Sequence, residues 1–177
     1  MLERLIELNL CPELITVLIG MIPVFELRAA LPVAITVFNL PWYEAFYLSV
    51  IGNLLPVPFL LLFFDGVSRI IQKNATGKRF IDWLLRLGNK RSDIVRKYKL
   101  AGLVFFVAIP LPGTGAWTGS LVAYILGLKF WPTLIAICIG VICAGIIVTI
   151  LTLLGWIGAA IAVLALIILA AIGVWKL

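Results

Sequence analysis

Two long apolar stretches of this chain are each interrupted at their middle by helix-breaking and polar residues, and no other feature restricts the possible folds as much. The first reads Met21-Ile22-Pro23-Val24-Phe25-Glu26-Leu27-Arg28-Ala29-Ala30-Leu31-Pro32. The second reads Ile109-Pro110-Leu111-Pro112-Gly113-Thr114-Gly115-Ala116-Trp117-Thr118-Gly119. In hydrocarbon an unpaired backbone group or a charge costs several kcal/mol, so such breaks persist only where protein or trapped water satisfies them. Breaks of this kind point to a transport site.

The setting is a bilayer. Of 177 residues 64% are hydrophobic and only 12% charged, with mean hydropathy +1.21, more apolar surface than a soluble domain of this size can bury. Residues 43–64, 130–152 and 155–175 are each long enough to span, since about 20 apolar residues cross a bilayer core. The expectation is one multi-pass cell-membrane domain, all-α. The opening Met1-Leu2-Glu3-Arg4 lacks a basic n-region, so no removable signal peptide is expected.

Ten of the fourteen Lys and Arg residues lie between Asp65 and Lys99, against three acidic residues, Asp65, Asp82 and Asp93. The positive-inside rule makes 65–99 a cytoplasmic connector. The net charge of +6 then reports orientation and contact with anionic headgroups rather than nucleic acid. Within the connector, Phe80, Trp83, Leu84 and Leu87 fall on one helical face and Arg79, Asp82, Arg86 and Lys90 on another, an amphipathic helix at the interface or a solvated basic linker. Cys11, Cys138 and Cys143 show no CxxC spacing, and there is no histidine. Metal sites, cofactors and Ser-His or Cys-His nucleophiles are therefore not expected, and neither is an enzyme.

Length tests the broken stretches. Residues 14–22 and 100–109 each make a helical arm of about 14 or 15 Å, half of a roughly 30 Å core. A re-entrant hairpin, whose two half-helices enter and leave by one face, fits that length. A kinked full span is the competing reading, because 14–40 and 100–128 are also long enough. An internal repeat favours hairpins. Ile22-Pro23, Arg28-Ala29, Leu40, Trp42, Tyr43 and Ile51-Gly52 return as Ile109-Pro110, Gly115-Ala116, Leu128, Phe130, Trp131 and Ile139-Gly140, offset by 87 and then 88 residues. Each half reads as a broken hairpin followed by a span, an inverted repeat of the kind from which transporters build a midplane site. Charge bias agrees: with two hairpins only Arg4 lies outside, whereas two full spans put Lys129 and Lys176 there.

The strings Ile22-Pro23-Val24-Phe25-Glu26-Leu27-Arg28-Ala29-Ala30-Leu31-Pro32 and Pro110-Leu111-Pro112-Gly113-Thr114-Gly115-Ala116-Trp117-Thr118-Gly119 resemble those of the small multidrug export protein family. The resemblance covers residues 14–154. That group is similar in plan to the DedA (SNARE-associated/VTT) superfamily, whose members carry two re-entrant hairpins and are implicated in moving lipids, including the undecaprenyl phosphate carrier. The chain departs from the DedA pattern at the second hairpin, where those proteins carry an arginine next to Pro and this chain has Ala108. Arg28 is its sole intramembrane arginine.

Arg28 offers a planar fork of donors that matches phosphate or carboxylate. With Pro23 near the first position of the second arm, Glu26 falls in the first turns of that arm, nearly opposite Arg28, so the two pair poorly within one helix. Each then finds partners elsewhere, Glu26 at helix-end amides and Arg28 at carbonyls or a ligand, and a buried structural ion pair between hairpins is the alternative. Pro32 frees one more carbonyl. In the second hairpin, Gly113, Gly115 and Gly119 allow a tight turn, and Thr114 or Thr118 can cap the half-helix that follows, while Gly115 and Gly119 equally suit helix packing. Trp117 reads as a packing residue, and Asn53 as a buried polar group that braces a hairpin.

The leading functional expectation is translocation of an amphipathic anion such as a lipid phosphate, held by Arg28, Glu26, Gly113, Thr114 and Gly115. Proton-coupled export of small drugs, with Glu26 exchanging a proton, is the second, and a non-transporting scaffold the third. Gly-containing helix faces suit association with a second copy of the chain.

Overall fold

The computed structural model describes residues 11–63, 93–110, 114–161, 163 and 164, the stretch 93–98 by its backbone alone. The connector with its amphipathic pattern over 80–87, Pro112 and Gly113 in the second break, and the last apolar stretch from 165 onward lie outside the described residues.

Every regular element among the described residues is an α-helix. In chain order the main ones are α1 (Pro12–Met21), α2 (Glu26–Thr36), α3 (Trp42–Leu54), α4 (Asp93–Ala108), α5 (Ala116–Ile125) and α6 (Phe130–Leu153), and residues 156–161, 163 and 164 are helical as well. After a turn at 55–56, α3 is prolonged by 57–63, and Trp42–Phe63 and Phe130–Leu153 are each long and apolar enough to cross a membrane. These are surfaces of a membrane protein. Along α6, Trp131, Ile135, Ile142, Ile146, Ile150 and Leu153 point outward and exposed, while Ile137, Val141, Ala144 and Val148 on the other side are buried. A soluble core helix does not present such an apolar outer face.

The two halves stop and start at matching places. Pro12 at the first position of α1 supplies a preset φ and has no amide to waste. α2 ends at left-handed Asn39 (φ 54°), with the Leu40 amide returning to Ala34 O. α5 ends at left-handed Gly127 (φ 63°), with the Leu128 amide returning to Ala123 O. The Leu128 bond spans five residues, as in a Schellman motif, and the Leu40 bond six, and each satisfies a carbonyl of its helix's last turns. Pro41 and Lys129 then precede α3 and α6, which open on the edge-to-face pairs Trp42–Tyr43 and Phe130–Trp131. The long helix of each half crosses its first short arm at a glycine. A Cβ at Gly52 would fall on the Val17 carbonyl of α1, and one at Gly140 would lie 3.0 Å from the Val104 carbonyl of α4. Asn39 and Gly127, Pro41 and Lys129, and Gly52 and Gly140 are each 88 residues apart, and Val17 and Val104 are 87 apart.

In the first half the short arms fold back on one another: Ile15 and Ile19 of α1 cluster with Ala29, Ala30 and Val33 of α2. The main core joins α2 to the second half, with Leu27 and Leu31 packed among Leu103, Val107, Ile137 and Val141. Some bounds differ from the sequence reading. The first arm ends at Met21, and the second begins at Glu26, not at Pro23, because residues 23–25 form turns. α4 begins at Asp93, inside the segment read as connector.

Candidate functional site

The two breaks meet, and each supplies hydrogen-bond partners to the other. A helix end leaves four amides or four carbonyls without intrahelical partners, which no solvent can satisfy in a hydrocarbon interior. Here the partners come from about 90 residues away in the chain.

Glu26 is left-handed (φ 49°), an uncommon conformation for a non-glycine residue that costs about 1–2 kcal/mol. It is also 5% exposed. Its Oε1 accepts the Trp117 backbone N–H at 3.3 Å, an unpaired donor in the first turn of α5. A carboxylate from the first half therefore does what an N-cap side chain normally does, and adds negative charge at the positive end of the helix dipole. Gly115 makes room for it: a Cβ there would overlap the Glu26 carboxylate. Neither Thr114 nor Thr118 caps α5, contrary to the sequence expectation, because the carboxylate occupies that place. The Thr118 hydroxyl instead donates to Gly115 O at 3.2 Å.

The indole N–H of Trp117 donates to Met21 O, the last carbonyl of α1, at 3.2 Å. The packing role read from the sequence is thus incomplete. One residue of α5 holds both banks of the first break, Met21 through its side chain and Glu26 through its backbone.

Arg28 reaches the opposite way. Its Nη2 donates to Thr114 Oγ1 at 3.0 Å and, at a longer 3.5 Å, to Ile109 O just past the end of α4. The Thr114 hydroxyl itself donates to Ile109 O at 2.8 Å. Among the described residues, Arg28 and Glu26 form no ion pair with each other, and the other guanidinium N–H groups of Arg28 meet no acceptor. The side chain is half-buried.

The remaining sequence candidates frame this junction. Pro23 is exposed in the first turn region, and Pro110 follows the end of α4. Pro32 lies inside α2, where its carbonyl accepts the Thr36 hydroxyl at 2.7 Å. Gly119 lets α5 close on α4, since a Cβ there would lie 2.7 Å from Val107 Cγ2. Asn53 is buried where α1 crosses α3 at Gly20, and its Oδ1 has no hydrogen-bond partner among the described residues. Cys11, Cys138 and Cys143 are free thiols, and no group of three or more His, Cys, Asp or Glu side chains comes together among the described residues.

A family model described as "Putative small multi-drug export protein" matches residues 26–147, well over half of the chain. The chain belongs to that family. No curated protein and no solved structure matches it at a level that shows common descent. The part that this small multidrug export family member shares with the family model opens on Glu26. It takes in Arg28, Thr114, Gly115 and Trp117, so the apposed polar groups lie inside the family region, while α1 lies before it.

Proposed function

We propose that this small multidrug export family protein is a membrane transporter of amphipathic anions, with a lipid phosphate as the substrate class, whose headgroup is held at Arg28 while its tail stays in lipid. The observation that carries the reading is the state of the guanidinium. One nitrogen of Arg28 is pinned across the breaks by Thr114 and Ile109, and the rest of the donor fork is unspent among the described residues. A fixed, half-buried guanidinium with free N–H groups suits two oxygens of one phosphate. Glu26, by contrast, is nearly buried and has one oxygen on the end of α5.

In this reading the short arms are half-helices of re-entrant hairpins that enter from opposite faces, as an inverted repeat. Two observations support it: α1 and α2 lie side by side rather than end to end, and matching stops and crossings recur 87 or 88 residues apart. The aromatic pairs opening α3 and α6 would then sit at opposite membrane interfaces. Association with a second copy is compatible with the chain.

The test is flux of a labelled lipid phosphate in reconstituted liposomes. Arg28→Ala should lower it at least tenfold, and Arg28→Lys nearly as much, because an ammonium cannot reproduce a bidentate contact. Unchanged flux in folded Arg28→Ala protein refutes the anion site.

The family description favours a second reading, proton-coupled export of small drugs, in which the buried Glu26 exchanges its proton for a cationic substrate. Its mark would be dependence of transport on Glu26 above Arg28.

A further inference from the structure

We propose that Trp117 is a positioning residue that clamps the first break, setting the place of Arg28 by holding Met21 and Glu26 at a fixed separation. The inference deepens the anion-site reading and, for its flux consequence, rests on it.

The geometry is specific. The break between α1 and α2 consists of residues 22–25, held internally by turn bonds from Phe25 and Glu26 amides to Ile22 O at 3.2 and 2.9 Å. These bonds close the turn from Ile22 to Glu26 but put no donor on the Met21 carbonyl and none on the Glu26 carboxylate. Trp117 supplies what is missing from outside. Its indole N–H takes the Met21 carbonyl on one bank and its backbone N–H takes the Glu26 carboxylate on the other. Arg28 stands two residues beyond Glu26, within the first turn of α2, so any change in how α2 enters is carried directly to the guanidinium.

The two donors of Trp117 also differ in what can replace them. Any residue at 117 other than proline keeps the backbone N–H. The indole brings a second donor on a rigid ring, which reaches Met21 O while the amide of the same residue faces Glu26. Phenylalanine would keep most of the ring contact and leave the Met21 carbonyl without its partner.

The decisive experiment removes one N–H and nothing else. Site-directed incorporation of 3-benzothienylalanine in place of Trp117 substitutes sulfur for the indole N–H in a ring of the same shape, with Trp117→Phe as a second variant. Hydrogen exchange of the full-length protein in detergent, read by mass spectrometry, reports directly on the break. We expect amide exchange over residues 21–26 to rise roughly fivefold in both variants, while exchange in α3 and α6 stays at the wild-type rate. A role limited to packing predicts no change for the isostere. No acceleration over 21–26, or acceleration spread evenly through the chain, overturns the clamp.

Flux of labelled lipid phosphate in liposomes supplies the second readout. The half-saturating concentration should rise roughly fivefold with the maximal rate within about twofold of wild type, the pattern of a misplaced binding group. An unchanged half-saturating concentration beside accelerated exchange overturns the claim that Trp117 sets Arg28. Absence of lipid phosphate flux in the wild-type protein would instead strike the anion reading, and the exchange measurement would still decide whether Trp117 clamps the break.

Discussion

Gly115→Ala tests the junction at its tightest point. The backbone at Gly115 is extended (φ −94°, ψ −163°), a region open to any L-residue, so alanine meets no conformational penalty there. The whole cost comes from the new Cβ, which overlaps the Glu26 carboxylate. The carboxylate must leave, and with it goes the bond to the Trp117 amide, about 1.5–3 kcal/mol for a hydrogen bond to a charged group. The favourable placement at the end of α5 adds about 0.3–1 kcal/mol. A loss of about 3 kcal/mol corresponds to a fall in melting temperature of roughly 6–12 °C for a chain of this size. The assay is thermal unfolding in detergent followed by tryptophan fluorescence, with Gly102→Ala as control. A Cβ at Gly102 meets nothing within 4 Å, so that change should be neutral or stabilise by up to about 1 kcal/mol. In a Glu26→Ala background the obstacle is gone, and Gly115→Ala should then cost under about 1 kcal/mol, a coupling of about 2 kcal/mol. Additive losses in that cycle, or a Gly115→Ala protein within about 0.5 kcal/mol of wild type, would refute the contact.

Gly52→Ala and Gly140→Ala should each destabilise by about 1–3 kcal/mol in the same melt, because the new methyl meets the Val17 backbone in one case and Val107 Cβ at 2.7 Å in the other; a neutral result at both would deny the close crossings. An impermeant thiol reagent, with Cys138 and Cys143 replaced by alanine, should label native Cys11 and a cysteine introduced at Asn39 from the same face. A cysteine at Lys129 should label from the opposite one, whereas Cys11 and Asn39 on opposite faces would make the first broken stretch a kinked span. Glu26→Gln should retain measurable flux, since the amide keeps an acceptor oxygen for the Trp117 N–H. Loss of gradient-driven flux alone in that variant would promote the proton-coupled exporter.

Much of the helix plan is written in apolar run length, which needs no tertiary knowledge. The stretches read as 43–64 and 130–152 correspond to helices Trp42–Phe63 and Phe130–Leu153. The breaks were legible because proline cannot donate within a helix and charged residues are expensive in hydrocarbon. What the residues do across the junction was less legible. Gly115 reads as a turn or packing glycine, yet the space it leaves is filled by a side chain 89 residues earlier. Trp117 looks like any apolar ring until its partner Met21 O is known, 96 residues away. A signal for it did exist. Two breaks in hydrocarbon leave several carbonyls and amides to satisfy, and few donors are at hand beyond Arg28, Thr114, Trp117 and Asn53, so a donor count assigns the indole a partner. The start of α4 at Asp93 was hidden for the opposite reason: residues 93–99 are polar enough to read as connector while still continuing the helix that follows.

The two charges at the junction are not equally available, and that asymmetry bears on function. A cation drawn to Glu26 has to reach a carboxylate that lies 5% exposed, one oxygen of which already accepts the Trp117 amide. An anion approaching Arg28 faces a smaller obstacle. It can use the unspent N–H groups first, and at most it displaces the 3.5 Å bond to Ile109 O, the longest in the cluster. The carbonyl so released still accepts the Thr114 hydroxyl at 2.8 Å, so no backbone group is stranded. Under the anion reading, loading leaves the Arg28–Thr114 bond and both Trp117 bonds between the halves in place and uses donors that are unspent among the described residues, whereas a cation at Glu26 must first reach a nearly buried carboxylate.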